Sequence, residues 1–326
     1  MNELRLGIIG AGRHSTRRLF PTISRLENVT LAAVCDFDET RAADAARRFG
    51  APKIYKNHQE MFASAQLDAV AVCIGPQAHA DISIDAMKAG IHVYTEKPPA
   101  ISSDSAYLVL KASQEYNRIC MTGFKKRYAP AFRQAHDIIQ SQQFGQPAIL
   151  SIWRSAGYFE HAPEKPTTWF LLDMGIHVID LSRYLFGEVV EVSAWARGQD
   201  TYVVHFRFAN QALGSLNLCA KQSWGTCSER VDITGDNRQF IRVENGVEMR
   251  HYERDNIRTL YQPNFSFSSG DSLYETGFVS ELAEFVTAIR SGLQPETNIE
   301  SGYLTMKLYE AIRDSAHDDG KKVLMT

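Results

Sequence analysis

The sequence predicts two successive domains of different class. Residues 1–122 read as an α/β domain with a doubly wound parallel sheet, and residues 123–326 as an α+β domain with a large, mostly antiparallel open sheet flanked by helices. Three observations predict this. Short apolar, β-branched runs alternate with amphipathic helical stretches up to Thr122. A glycine-rich turn directly follows the first of those runs. From about Phe124 the alternation gives way to strands separated by tight-turn sequences. A chain of 326 residues also exceeds what one core usually serves.

In order, Leu4–Ile9, Thr30–Cys35, Ala69–Ile74, Ile91–Tyr94 and Ile119–Thr122 are strand candidates. Arg17–Arg25, Thr40–Phe49, His58–Ala63, Ala78–Ala89 and Ser103–Tyr116 read as the helices between them. Strands that are apolar throughout are buried on both faces, as in a parallel sheet covered by helices. In the second half, a helix near Pro130–Ser141 leads to a strand at Ala148–Ser155, a loop over Gly157–Thr168, and a helix from about Trp169 to Phe186. Strands follow at Val189–Arg197, Tyr202–Phe208, Gly214–Ala220, Ser228–Thr234, Gln239–Val243 and Val247–Tyr252. Ala209-Asn210-Gln211, Gly235-Asp236-Asn237 and Glu244-Asn245-Gly246 supply hairpin turns between strands, so neighbours run antiparallel. Glu275–Ser291 and Ile299–Ala316 close the chain as amphipathic helices. On the outer face of the second sheet, Trp195, Tyr202, Val204 and Phe206 suggest a subunit interface.

Composition narrows the functions. A net charge of −3 gives no electrostatic reason to bind nucleic acid or an anionic membrane. No apolar run approaches the eighteen or so residues a membrane span needs. The segment Met1–Gly12 lacks the long apolar region of a signal peptide and reads as a first strand. Cys35, Cys73, Cys120, Cys219 and Cys227 are odd in number and form no C-x-x-C pair. They read as free thiols of a protein in a reducing cytoplasm, with no metal site expected.

Gly10-Ala11-Gly12-Arg13-His14-Ser15 lies between the first strand and the helix after it. Glycine at the first position permits a tight turn, and glycine at the second lets backbone approach a pyrophosphate at a helix N-terminus. Ser15 stands where a third glycine is usual and is small enough to keep helix–strand packing. Arg13 and His14, within the turn, are candidate cofactor contacts. Asp36 ends the second strand 24 residues beyond Gly12, placed to accept from a ribose 2′-hydroxyl and to repel a 2′-phosphate. That favours NAD, with NADP still open because Arg13 and Arg41 would soften the discrimination. The competing reading is that Asp36 or Asp38 only caps the helix starting near Thr40. A second loop, Gly75-Pro76-Gln77-Ala78-His79, follows the strand at Ala69–Ile74, at the edge where open α/β sheets place ligands. His79 either faces that edge or caps and packs the next helix.

Lys97 follows the strand at Ile91–Tyr94, after Glu96 and before Pro98. Asp173 and His177 are four residues apart in a helical stretch and so project from one face. A cation, a carboxylate and an imidazole suit proton and hydride chemistry on an alcohol. Taken singly, each has a plainer reading: a solvated lysine, a helix-start carboxylate, and a packed histidine paired with Asp180.

With these residues in view, the chain resembles the glucose–fructose oxidoreductase, inositol dehydrogenase and rhizopine-catabolism family, written Gfo/Idh/MocA. The resemblance is carried by Gly10–Ser15, Asp36, Gly75–His79, Gly90–Pro98 (GIHVYTEKP), Gly123–Pro130 (GFKKRYAP), Asp173–Asp180 (DMGIHVID) and the tail Ile299–Leu324. It spans essentially the whole chain. Ser15, Gly75 and Pro99 depart from the usual pattern. The resemblance implies an N-terminal Rossmann domain, a C-terminal open-sheet domain, a catalytic cleft between them, and a homodimer or homotetramer. It also implies that Lys97, Asp173 and His177 are catalytic: His177 takes the hydroxyl proton, Asp173 orients or stabilises the imidazole, and Lys97 hydrogen-bonds the reacting oxygen. Glu96 takes a structural or cofactor-ribose role. Arg127 either faces cofactor or substrate or forms a surface ion pair. Tyr158, His161 and Trp169 are candidate aromatic and polar walls for a sugar ring.

The expected function is NAD(P)-dependent hydride transfer to or from a hydroxyl or carbonyl of a sugar, inositol or related polyol. One alternative keeps the nucleotide for glycoside cleavage by transient oxidation and elimination. Another is a non-enzymatic nucleotide-sensing regulator, which would have no use for the acid–base residues.

Overall fold

A computed structural model of the chain describes residues 3–157, 170–265 and 271–325. They form two compact units. One holds the chain up to Phe124 together with Phe278–Met306, and the other holds Lys125–Gly277 together with the chain from Lys307.

The first unit is built on six parallel strands: β1 (Leu4–Ile9), β2 (Val29–Cys35), β3 (Ile54–Tyr55), β4 (Ala69–Val72), β5 (His92–Thr95) and β6 (Cys120–Thr122). Their spatial order is β3-β2-β1-β4-β5-β6. The winding reverses between β1 and β4, and the loops leaving those two strands are the glycine turn and the Gly75–His79 loop. A doubly wound sheet opens its ligand crevice at this point. All four residues of β4 are buried, which is why the run carries no polar alternation. Asp38, Asn57 and Ser102 accept backbone amides at the starts of helices Glu39–Phe49, His58–Ser64 and Ser103–Glu115.

One local expectation is corrected and one strand is added. The helix expected at Arg17–Arg25 is two short pieces, Arg13–Arg17 and Leu19–Ile23, because Pro21 cannot donate to the Arg17 carbonyl one turn back. The two-residue edge strand β3 is too short to leave a periodic signal.

The second domain is not one continuous segment from residue 123. Helix Phe278–Ser291 and the start of helix Ile299–His317 belong to the first unit. Tyr94, on β5, explains the recruitment. Its ring is wholly buried and its hydroxyl donates to Glu281 Oε2 at 2.9 Å. The Thr122 amide likewise donates to the Thr297 carbonyl at 2.8 Å.

The second unit carries β7 (Pro147–Gly157), β8 (Val189–Ala196), β9 (Thr201–Phe208), β10 (Leu213–Gln222), β11 (Glu229–Gly235), β12 (Gln239–Glu244), β13 (Glu248–Glu253), β14 (Asn256–Tyr261) and β15 (Val323–Leu324). They form one sheet ordered β14-β13-β12-β11-β7-β10-β9-β8-β15. Only the β7–β10 pairing is parallel. Edge strands β14 and β15 escape a sequence reading because they are short and have no fully buried residue to set an alternating pattern.

The parity of the outer face is also corrected. Trp195 lies directly opposite Val203 across the β8–β9 ladder, and directly opposed residues share a face. Tyr202, Val204 and Phe206 therefore point the other way and are buried. The exposed face instead carries Trp195, Val203, Leu213 and Ile149, with His205 opposite Ser193.

Candidate active site

Gly10 begins the nucleotide turn with φ of +97°, and a Cβ there would lie 2.1 Å from the Cys73 carbonyl oxygen. Only glycine meets both conditions. Gly12 has an ordinary extended conformation, yet nothing lies within 4 Å of where its Cβ would stand. The first glycine thus serves the fold, and the second keeps open the space a phosphate would enter. Ser15 is buried, and its hydroxyl donates to the Gly12 carbonyl at 3.0 Å, closing the turn where a third glycine would sit.

Asp36 does not cap the next helix. Its Oδ2 accepts from the Ala11 amide at 2.7 Å and its Oδ1 from the Asp38 amide at 2.9 Å. Asp38 is the cap, accepting from Thr40 and Arg41, and Arg41 Nε pairs with its Oδ2 at 3.2 Å. Arg13, which follows Gly12, and Phe37, which follows Asp36, are exposed. The cradle fits a dinucleotide: an open backbone approach at Gly12, and a carboxylate at the end of β2 with lone pairs left for a ribose hydroxyl.

Glu96, Lys97 and Pro98 follow β5 at the same edge of the sheet. Glu96 is buried, its Oε1 lies 3.1 Å from His14 Nε2, and its Oε2 accepts from the Lys97 amide at 3.2 Å. Burial alone would raise this carboxyl. The hydrogen bond from His14 and the nearby His14 and Lys97 outweigh it and hold the group below its ordinary value. His79 is buried at the start of helix His79–Lys88, and its Nδ1 lies 2.7 Å from the Pro98 carbonyl. Burial pulls the His79 pKa down, so a neutral ring donates that hydrogen bond at neutral pH. Hence His79 grips the Lys97 turn rather than capping a helix. Pro76 is buried as the first residue of a short 3₁₀ turn, and Gly75 before it is exposed.

In the second unit, the helix carrying Asp173 and His177 is not uniform. Residues Leu171–Gly175 form a π turn, continued as α-helix by Ile176–Phe186. Such widened turns are frequent at functional sites. Asp173 is half-buried within the turn, and His177 is buried just beyond it. Three residues past His177, Asp180 receives the fork of Arg127: Nε to Oδ2 at 2.8 Å and Nη2 to Oδ1 at 2.5 Å. Arg127 therefore forms a buried ion pair that anchors this helix, not a surface one. Its guanidinium also lies 5.5 Å from the Tyr184 ring centre, on the same helix.

One buried cluster had no legible signal. Glu229 on β11 takes both Lys126 and Arg154, the latter directly across the ladder on β7. Burial opposes the Glu229 charge, but the two cations prevail and bring its pKa down to about 2. Tyr158, His161 and Trp169 lie outside the described residues. Among the described residues, no group of three or more His, Cys, Asp or Glu side chains is disposed to hold a metal ion.

A doubly wound domain with an open glycine cradle, a carboxylate at the end of β2 and a lysine at the end of β5 defines a dinucleotide-dependent oxidoreductase. The comparisons with known proteins agree, and the chain belongs to the Gfo/Idh/MocA oxidoreductases. Residues 4–124 match the family's NAD-binding Rossmann fold and residues 141–325 its C-terminal alpha/beta domain. The chain is 25% identical to a myo-inositol 2-dehydrogenase of Thermotoga maritima, over 97% of both chains. It is 29% identical to inositol 2-dehydrogenase 2 of Saccharopolyspora erythraea, over 94% of this chain and 91% of that one. Among solved structures, an Agrobacterium radiobacter oxidoreductase in complex with NAD+, L-tartaric acid and magnesium superposes with a TM-score of 0.89 at 19% identity, covering 99% of this chain and 98% of that one.

Proposed function

We propose that this NAD-dependent enzyme oxidises a secondary hydroxyl of an inositol or related cyclic polyol, or runs the reverse reduction. The observation that carries this reading is the fixed position of Lys97. It stands at the carboxyl end of β5, on the sheet edge that bears the glycine cradle, with its backbone held by Glu96 and the next residue held by His79. The full-length likeness to inositol 2-dehydrogenases supports the substrate class.

In this mechanism His177 takes the proton from the substrate hydroxyl. Asp173 orients the imidazole and stabilises its charged form. Lys97 donates a hydrogen bond to the reacting oxygen, offsetting alkoxide charge in oxidation and polarising the carbonyl in reduction. NAD, when bound, accepts the hydride. Gly10, Gly12, Arg13, His14, Asp36, Arg41, Gly75, Pro76, His79 and Glu96 are the proposed cofactor-side residues, while Arg127, held by Asp180, supports the helix that carries His177. Tyr158, His161 and Trp169 are the proposed substrate contacts.

The test is a screen of inositols, aldoses and ketoses with NAD and NADP, read by nicotinamide absorbance, followed by Lys97→Ala and His177→Ala. Each substitution should lower kcat by about 10²-fold or more. Unchanged turnover in both would overturn the mechanism. We also propose that two or four copies associate through the exposed face of the second sheet. No described helix is long and apolar enough to cross a membrane. The free cysteines, two of them fully buried, support a place in the reducing cytoplasm.

A further inference from the structure

The Glu96 carboxylate joins two parts of the first unit that serve different ends: His14 belongs to the glycine turn, and Lys97 follows β5. Each oxygen has its own task, Oε1 facing His14 Nε2 at 3.1 Å and Oε2 accepting from the Lys97 amide at 3.2 Å. A carboxylate this buried is costly unless it is paired. A purely internal anchor would be expected to draw its partner from the core. Here the partner is a side chain 51% exposed in the nucleotide turn, its ring resting 5.9 Å from that of Phe278. His14 follows Gly12 and Arg13 directly, so a phosphate seated at Gly12 bears on the backbone from which the imidazole projects. Lys97 and His79 are the other chargeable groups whose fields reach Glu96, and Cys73 and Tyr94 in turn feel its charge.

We infer that Glu96 is a positioning residue, bridging His14 and the Lys97 amide so that seating of the dinucleotide on the glycine turn sets the placement of Lys97. The inference rests on the dehydrogenase reading, in which Lys97 meets the reacting oxygen. It gives Glu96 a role distinct from ribose binding. Because His79 holds the Pro98 carbonyl independently, loss of the bridge should misplace the lysine without unfolding its turn.

A double-mutant cycle on His14 and Glu96 tests this, using the polyol found by the screen and a substrate-free NADH fluorescence titration. His14→Ala and Glu96→Gln should each lower kcat about tenfold, as expected for losing one charge-assisted hydrogen bond, with the polyol KM changed less than about threefold. The double variant should be no worse than the poorer single one, in kcat and in NADH affinity alike. His14→Gln, whose amide can still donate to Oε1, should return to within about threefold of wild type. Multiplicative losses, a His14→Gln variant as poor as His14→Ala, or a change confined to KM would overturn the inference. Lys97→Ala separates the two claims. If it retains turnover, the role of Lys97 at the reacting oxygen falls, and the positioning role with it. If it abolishes turnover while the cycle is multiplicative, only the positioning role falls.

Discussion

The Ala11 amide donates to Asp36 Oδ2 across 2.7 Å, so the glycine turn and the end of β2 form one hydrogen-bonded unit. The carboxylate therefore shapes the cradle as well as facing its ligand. Removing it should do two things. Asp36→Ala should raise the NAD KM by about 10- to 100-fold, the scale of one lost hydrogen bond to a charged acceptor. It should also raise the NADP-to-NAD ratio of kcat/KM, because nothing then repels a 2′-phosphate. Initial rates with both cofactors check this, and an unchanged ratio would mean that Asp36 serves only the turn.

The two glycines of the turn should fail in different ways. An alanine at Gly10 adopts an unfavourable φ and places its Cβ against the Cys73 carbonyl, so Gly10→Ala should destabilise the first unit by about 2 kcal/mol or more. An alanine at Gly12 enters open space. Gly12→Ala should melt within a degree or two of wild type while losing about tenfold or more in NADH affinity. Thermal melts paired with NADH titration separate the cases. Equal melting temperatures for both variants would contradict the assignment.

How far the sequence reveals this molecule depends on the range of the interaction involved. The strands of the first sheet are legible because burial on both faces makes them apolar throughout, and β4 is the extreme case. The glycine turn, Asp36 and Lys97 are legible because local backbone geometry and strand ends determine them. The helix Phe278–Ser291 reads correctly as a helix, but its membership of the first unit rests on long-range contacts such as Tyr94 with Glu281, 187 residues apart, and Arg290 with the Glu27 and Asn28 carbonyls. No local pattern encodes such a pair. The π turn at Leu171–Gly175 is similarly silent, since its sequence fits an ordinary helix. The parity of Trp195 follows from a register that the hairpin sequences leave one residue uncertain, and a slip of one residue reverses a face.

Glu229 gives the second unit a defined acid sensitivity. Its folded-state pKa is depressed, so its stabilisation is fully present above the ordinary carboxylate value and is lost as pH falls toward about 2. Between pH ~5 and ~3 the wild type should lose about 2 kcal/mol through this group. Glu229→Gln should already be less stable at neutral pH, because Lys126 and Arg154 then face each other without a counter-charge. Its stability should vary less over the same pH interval. Urea melts at several pH values measure both effects. Parallel pH dependence in the two proteins would remove Glu229 from the account.

The exposed face of the second sheet should associate copies of the chain. Trp195 is 42% exposed there, beside Val203 and close to a shallow hollow of about 610 Å³ lined by Ile149, His205 and Leu213. Exposed Trp195, Val203, Leu213 and Ile149 among polar side chains such as Glu191, Arg207 and Ser215 make a mixed face of the kind that symmetric pairing commonly covers. Light scattering should give a mass two or four times the 36.7 kDa of one chain. Val203→Lys leaves the buried side of β9 untouched, because Val203 points away from Tyr202, Val204 and Phe206. In an assembled pair, however, it sets a charge into the covered face. That variant should keep the wild-type circular dichroism spectrum and run as a single chain. A single-chain mass for the wild type would show that this face stays open to solvent, whatever the variant does.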